Sequence, residues 1–333
     1  MSGGMGNRLT LMTLVVVLVL TAVPFFLGKG NVEVGSEIFI LLAIAQMWNL
    51  LGGYGGLMSL GQQAFIGLGA YFLFFVSNSL NISPYWVIPF VPVFCGLASA
   101  ATALLLFRLR DAYFVIGSWV FSEILAILVA KATWLGGTSG LSLLTTGLID
   151  LSWFEAVDYW LALGVAVIAI AGSYIFLKSR FGLGLMGVRD NELAATSAGV
   201  DVWSSRFLVF VLSGAGCGLA GAISYLSTFY VSSNSAFDIG WVGAMVFIVV
   251  VGGMGTLEGP ILGTLIYFVL REGFTALLPE SGSWYLVTVG VIAAATMIVA
   301  PKGLWPLIAA RTGFEPLRIR RIMPKVNALP VRT

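Results

Sequence analysis

Residues 178–206 read KSRFGLGLMGVRDNELAATSAGVDVWSSR, and they form the longest strongly charged segment between the apolar spans of this chain. The charges flank a patch of small residues at positions 194–199. Soluble domains carry about 25% charged residues, whereas this chain carries 10% and is 59% hydrophobic. We therefore expect an all-α integral membrane protein whose charged segment is a docking surface for a soluble partner.

The apolar stretches predict about ten transmembrane helices, because one helical span needs roughly 20 apolar residues. The predicted spans are 9–28, 36–52, 57–78, 85–107, 112–131, 159–177, 206–231, 237–252, 259–278 and 283–300. The first is interpreted as a retained span, since no small-x-small cleavage site follows it. This divides the chain into a membrane domain at 1–310 and a basic tail at 311–333.

The distribution of basic residues predicts the orientation, because Lys and Arg favour the cytoplasmic side of a membrane. With both termini inside, all 17 Lys and Arg residues except Lys29, Lys131 and Arg271 fall at the inner face. We therefore expect a multi-pass protein with both termini, and segment 178–205, in the cytoplasm. The tail is interpreted as a topology signal or, alternatively, as a site for anionic lipid or a partner.

Two G-x-G-x-x-G matches, at 182–187 and 216–221, follow or lie inside apolar spans, whereas a dinucleotide site needs a strand before the motif and a helix after it. We interpret them as close helix packing. The chain has no His and no G-x-x-x-x-G-K-[ST] loop, so any ATP must be bound by another chain. Cys95 and Cys217 are expected to be buried thiols rather than a disulfide or metal pair.

A glycine pattern occurs twice, as GGYGGL at 52–57 and GGMGTL at 252–257. Each lies where one apolar span ends and another begins. Gly-interrupted segments that recur in two parts of a chain indicate a transport pathway in transporters, although a chain with 41 glycines also has such breaks without that role. The predicted helix breaks are Gly52, Gly53, Gly55, Gly252, Gly253 and Gly255.

Polar residues inside membrane spans face protein or water, because exposing them to lipid is costly. The candidates are Asn49, Ser59, Gln62, Gln63, Ser118, Ser122 and Glu123. Glu123 is the carboxylate near the middle of a span. We interpret it as lining a translocation pathway or, alternatively, as a packing hydrogen bond or a carboxyl kept neutral by its apolar surroundings.

Several stretches together resemble the permease subunits of branched-chain amino acid ABC transporters, the LivM type. They are NLLGGYGGLMSLGQQAFIGLGAY (49–71), LRDAYFVIGSWVFSEI (109–124), LGGTSGL (135–141), RFGLGLMGVRDNELAATSAGVDV (180–202) and GGMGTLEGPILGT (252–264). The resemblance covers about residues 40–305 and places Glu123 on the family's glutamate. The chain departs from the family pattern at GSWVF (117–121) and at Gln62–Gln63.

The resemblance implies an ABC importer permease architecture in a bacterial inner membrane, with no enzymatic activity and no cofactor in this chain. It implies a second, LivH-type permease, two cytoplasmic ATP-binding subunits that hold ATP and Mg, and a periplasmic binding protein. The implied coupling residues are Arg189, Asp190, Asn191, Glu192, Ala194, Ala195 and Gly199. A permease for urea or short amides and a stand-alone secondary transporter are the alternatives.

The predicted orientation is tested by labelling single cysteines introduced beside Asp150 and Ser197 with a membrane-impermeant reagent in intact cells. Asp150 belongs to a predicted outer loop and Ser197 to the charged segment, so only the first position should react until the membrane is opened. The reverse pattern, or equal labelling of both positions, contradicts the orientation.

Overall fold

The computed structural model describes residues 15, 17–26, 28–277, 284–313 and 317, and it is helical through most of that length. The helices are α1 (Lys29–Trp48), α2 (Gln63–Leu80), α3 (Val91–Leu106), α4 (Ala112–Lys131), α5 (Phe154–Lys178), α6 (Arg180–Asp190), α7 (Glu192–Ser197), α8 (Val202–Leu226), α9 (Gly240–Gly252), α10 (Gly259–Leu277), α11 (Trp284–Val299) and α12 (Leu304–Thr312). Before α1, residues 17–22 are helical and a 3-10 turn follows at Val23–Phe25.

Shorter elements join the long helices. A π-helical turn, Asn49–Tyr54, extends α1. The other short pieces are Pro84–Val87, Ile88–Phe90, Thr133–Leu135, Gly137–Ser139, Leu144–Leu148 and Ser233–Ala236, with strands β1 (Leu141–Ser142) and β2 (Tyr230–Val231).

The prediction of ten spans is slightly too high for the part of the chain that the structure describes. Seven helices there are long and apolar enough to cross a membrane, or eight if α11 and α12, which bend by 47° at their junction, form one span. Of the predicted span 9–28, the structure describes residues 15, 17–26 and 28, and the helix there ends at the 3-10 turn Val23–Phe25. The predicted span 259–278 corresponds to α10, which carries Arg271 and Glu272 and is not among the seven. Helix α2 begins only at Gln63, since residues 55–62 are not helical.

The centre of the molecule depends on very close helix crossings. A Cβ added to Gly69 in α2 would overlap the carbonyl oxygen of Gly218 in α8. Gly214 of α8 approaches α3 in the same way, since its added Cβ would lie 2.6 Å from the Cβ of Ser99. The motif at 216–221 therefore packs helices together, as small residues do in membrane proteins. Cys95 and Cys217 are buried free thiols here, as the sequence predicts.

At one end of the molecule, β1 and β2 pair antiparallel, with Leu141 opposite Val231. We call this region, residues 135–143 with β2, the outer cap, after the orientation that the sequence predicts. The side chain of Asn78 at the end of α2 holds the outer cap. Its Nδ2 donates to the Ser142 carbonyl at 2.9 Å, and its Oδ1 accepts from the Leu144 amide at 2.8 Å. The cap contains the LGGTSGL stretch, in which Gly136, Gly137 and Gly140 all have positive φ.

The opposite end of the molecule carries α6 and α7. Helix α5 separates the two ends, and its 25 residues span about 37 Å at 1.5 Å per residue. The charged segment and the outer cap therefore lie on opposite sides of the membrane domain.

We predict that Gly69→Ala destabilises the protein, because the new Cβ forces α2 and α8 apart where their backbones touch. Such overpacking costs about 1–3 kcal/mol. Gly164→Ala in α5 is the matched control, since an added Cβ there meets nothing within 4 Å. Thermal unfolding in detergent should show a lower midpoint for Gly69→Ala than for Gly164→Ala, and equal midpoints would contradict the close crossing.

Candidate functional site

The two glycine breaks meet in space although 200 residues separate them in the chain. The first begins within the π-helical turn that extends α1, so Gly52 and Gly53 are still helical and the helix ends only at Tyr54. The second follows Gly252, where Gly253 has φ 139° and Gly255 has φ 74°. A Cβ added to Gly53 would lie 2.7 Å from the amide nitrogen of Gly255. Glycine at these positions allows both the backbone conformation and the contact. We call residues 49–57 and 252–258 the glycine joint.

Asn49 ties the two halves of the glycine joint together. It is fully buried, its Nδ2 donates to the Thr256 carbonyl at 2.7 Å, and its Oδ1 accepts from the Gly255 amide at 2.9 Å. The second break has irregular backbone, whose polar groups cannot turn to water inside the protein. The Asn49 amide supplies one donor and one acceptor, so a single side chain satisfies both groups. The sequence predicts Asn49 as a pathway residue, and the structure places it in this clamp.

Arg189 attaches the charged segment to the same joint. The guanidinium Nη1 donates to the Gly53 carbonyl at 2.9 Å, while Nε and Nη2 donate to Asp190 Oδ1 at 3.0 and 2.9 Å. An added Cβ on Gly56 would lie 3.1 Å from the Arg189 side chain. The end of α6 therefore rests directly on the first break, and a displacement of α6 must move or break this contact.

Helices α6 and α7 pack against each other and are here called the coupling pair. Asn191 caps α7 by accepting from the Ala194 amide at 3.0 Å, and Glu192 bonds Arg206 of α8 at 2.8 Å. The hydroxyl and backbone N–H of Ser204 donate to Asp201 at the start of α8. These bonds hold the pKa of the Asp201 carboxyl below its usual range.

Two small residues among the implied coupling residues, Ala195 and Gly199, have structural roles within the chain. Ala195 is buried within the chain, where an added Cβ on Gly187 would lie 3.8 Å from it, so it packs α7 onto α6 rather than facing a partner. Gly199 is exposed, with nothing within 4 Å of an added Cβ. Its φ of 81° ends α7 in the left-handed conformation that favours glycine.

The outer face of the coupling pair combines charge with apolar surface. Leu193 is 82% exposed, and Phe181 and Leu183 are about half exposed. Asp190, Asn191, Glu192 and Ala194 are exposed beside them. An exposed surface with apolar side chains surrounded by polar ones is typical of a protein interaction site.

Four of the other predicted pathway residues are buried where residues 55–62 meet α4. Ser118 Oγ accepts from the Leu60 amide at 3.1 Å, and Ser59 Oγ accepts from the Gly61 amide at 3.2 Å. The side chains of Gln62 and Gln63 are fully buried, and their amides have no partner among the described residues. Such groups are costly to leave unpaired, which indicates a polar interior near the start of α2.

Glu123 does not lie with these buried residues. It is on the exposed side of α4, where its Oε1 accepts from the Trp119 indole Nε1 at 3.1 Å. The structure therefore does not bring Glu123 together with the buried polar residues, and its assignment to a pathway stays a prediction. Ser118 and Ser122 lie on the buried face of α4. Their hydroxyl groups and the carboxylate of Glu123 are therefore on different faces of this helix.

Two charged sites of this fold were not predicted. Glu258, directly after GGMGTL, is 8% exposed, and its Oε1 accepts from the Leu317 amide at 2.7 Å. Arg271 of α10 pairs with Glu37 of α1 near the other end. Both sites could have been found from the sequence in the way that Glu123 was, because each has a charged residue at or inside an apolar span.

The clamp predicts that Asn49→Ala lowers stability by about 1–3 kcal/mol, the cost of leaving buried polar groups unpaired. Asn78→Ala is the matched control, since it also removes one donated and one accepted backbone hydrogen bond but lies at the outer cap. The midpoint of thermal unfolding should fall more for Asn49→Ala. An equal or larger fall for Asn78→Ala would contradict the clamp.

The chain matches the family model "branched-chain amino acid transport system / permease component" over residues 30–301. It is 27% identical to the high-affinity branched-chain amino acid transport system permease protein LivM of Salmonella typhimurium, over 331 aligned positions that cover 90% of this chain and 75% of that protein. It is also 26% identical to a probable LivH permease of Methanocaldococcus jannaschii over 48% of this chain and 49% of that protein.

A more distant relative is the ribose import permease protein RbsC of Bacillus subtilis, 27% identical over 43% of this chain and 47% of that protein. No solved structure matches the chain. The family match covers most of the chain, including the glycine joint and the coupling pair. This multi-pass membrane protein belongs to the family of branched-chain amino acid transport system permease components.

Proposed function

We propose that this chain is the membrane-spanning permease subunit of an ATP-driven importer for a branched-chain or related amino acid. The observation that carries the proposal is the coupling pair, which has an exposed face at one end of the membrane domain while Arg189, at the end of α6, bonds to the glycine joint. The chain serves translocation rather than catalysis. Two partner subunits bind and hydrolyse ATP with Mg, and a periplasmic protein delivers the substrate.

Motion of the ATP-binding subunits reaches the membrane helices by two connections from the coupling pair. One is the contact of Arg189 with Gly53, which leads to α1 and, across Asn49, to α9. The other is the ion pair of Glu192 with Arg206, which leads to α8. A conformational change needs contacts that differ between two states. The capped and packed pair provides such contacts if its two helices move together, which is what we propose.

A second permease subunit covers the exposed face of α4 in this proposal. A carboxylate at the middle of a span costs at least a few kcal/mol when it faces lipid in its charged form. Glu123 and Trp119 are exposed on that face in the isolated chain. A related permease packed there, of the LivH type, removes the carboxylate from lipid and makes Glu123 part of a pathway between two subunits rather than inside one.

The relatives support an amino acid as the cargo, since the LivM and LivH proteins are named for branched-chain amino acid transport. Urea or a short amide is the close alternative, because the binding protein selects the substrate in such systems. A stand-alone secondary transporter is the alternative of another class, and it requires no soluble partner for the coupling pair.

The proposal predicts that Leu193→Glu abolishes ATP-driven uptake while the protein remains folded and inserted, because it puts a charge at the centre of the docking face. Leu151→Glu is the matched control, since Leu151 is also exposed, at 63%, but lies at the outer end. Uptake by cells and co-purification of the ATP-binding subunit are measured together.

Leu151→Glu should keep both uptake and co-purification, and Leu193→Glu should lose both. Normal uptake by Leu193→Glu contradicts the docking role. Uptake that follows an imposed proton gradient, without any ATP-binding subunit, favours the secondary transporter instead.

A further inference from the structure

A pocket of about 300 Å³ opens beside the glycine joint, at the low end of the range for small-ligand sites. Arg189 and Glu258 both line it, so it presents one positive and one negative group. The rest of the lining is largely apolar, with Met186, Trp305 and Pro306 among its side chains. No step in the proposed import mechanism uses this pocket.

Arg189 keeps binding capacity after its contacts within the chain. A guanidinium has five N–H donors, and the bonds to Gly53 and Asp190 use one each from Nε, Nη1 and Nη2. One N–H therefore remains on each terminal nitrogen. Paired guanidinium N–H groups match the geometry of a carboxylate, and the Arg189 side chain is 35% exposed.

Glu258 is the acceptor of the pocket. It is 8% exposed, and no described Lys or Arg forms an ion pair with it. Its Oε1 accepts from the Leu317 amide, and a carboxylate has room for further donors on both oxygens. In the structure, the backbone N–H of an apolar residue, Leu317, therefore already binds Glu258.

We propose that this pocket binds an apolar α-amino acid from the cytoplasmic side. The carboxylate of the ligand binds Arg189, its ammonium group binds Glu258 in place of the Leu317 amide, and its side chain packs on Trp305 and Pro306. This inference rests on the proposed function, because it assigns to the imported class of molecule a second site on the permease.

Occupancy of the pocket slows import. A bound amino acid bridges Arg189, at the end of the coupling pair, to Glu258, directly after the second glycine break. It therefore favours the arrangement in which these elements are together and resists their separation. Product that accumulates in the cytoplasm then holds the importer in one state.

The test uses the complete transporter in proteoliposomes with ATP in the lumen and binding protein outside. The initial rate of leucine uptake is measured with and without millimolar L-leucine in the lumen, and each protein is described by the ratio of the two rates. Luminal leucine should lower the wild-type rate at least threefold. Leucinamide, which lacks the carboxylate, and aspartate, whose side chain is charged, should have little effect.

Two variants remove the pocket in different ways. Glu258→Gln removes the negative charge, and Ala310→Phe fills the pocket from an exposed lining position. Both should bring the ratio close to one. Leu307→Phe is the matched control, because Leu307 is an exposed residue of the same helix that does not line the pocket. It should keep the wild-type ratio.

Binding is measured separately by titrating L-leucine into the complex in nanodiscs without binding protein, where Ala310→Phe should abolish the signal. A wild-type ratio of one, with normal ATP-driven uptake, overturns the inference and leaves the proposed function intact. Inhibition that persists in both pocket variants overturns it as well. Failure of any ATP-driven leucine uptake contradicts the proposed function instead.

Discussion

The structure depends on hydrogen bonds to backbone groups that are not paired within helices. The side-chain amide of Asn49 supplies two of these bonds at the point where two broken helices meet. Helices satisfy their own backbone groups in lipid, but a break releases some of those groups. Glycine lets the two breaks approach closely enough for one side chain to reach the second from the first. Arg189 connects α6 to these two breaks, because its guanidinium donates to the Gly53 carbonyl in the first break.

Under the proposed function, this arrangement links a soluble partner to the membrane helices of a mostly apolar chain. The coupling pair is held to the glycine joint by one hydrogen bond and to α8 by one ion pair, and its outer face is open. Helix α8 in turn touches α2 through backbone at Gly218, where neither helix can give way independently. Close contacts of this kind make a packed domain switch between discrete arrangements rather than deform gradually.

Much of the fold could be predicted from the sequence because composition decides it. A low charge fraction indicates membrane helices, and 178–206 and the glycine pattern mark where helices end. The meeting of the two breaks could not be predicted, since nothing local links residue 49 to residue 256. The sequence also could not predict that Glu123 lies on the exposed face of α4. This helix is apolar around most of its surface, so its periodicity does not distinguish the buried face from the exposed one. The resemblance implies coupling roles for Ala195 and Gly199, but the pattern of small residues could not show that Ala195 packs α7 onto α6 and that Gly199 ends α7.

The central claim is that the coupling pair and both glycine breaks act as one mechanical unit. Hydrogen–deuterium exchange of the assembled transporter, with and without a non-hydrolysable ATP analogue, tests it most directly. The account predicts that exchange changes together in residues 49–57, 186–192 and 252–258, while the outer cap at 135–143 changes separately or not at all. A change in 186–192 with no change in either glycine segment would contradict it.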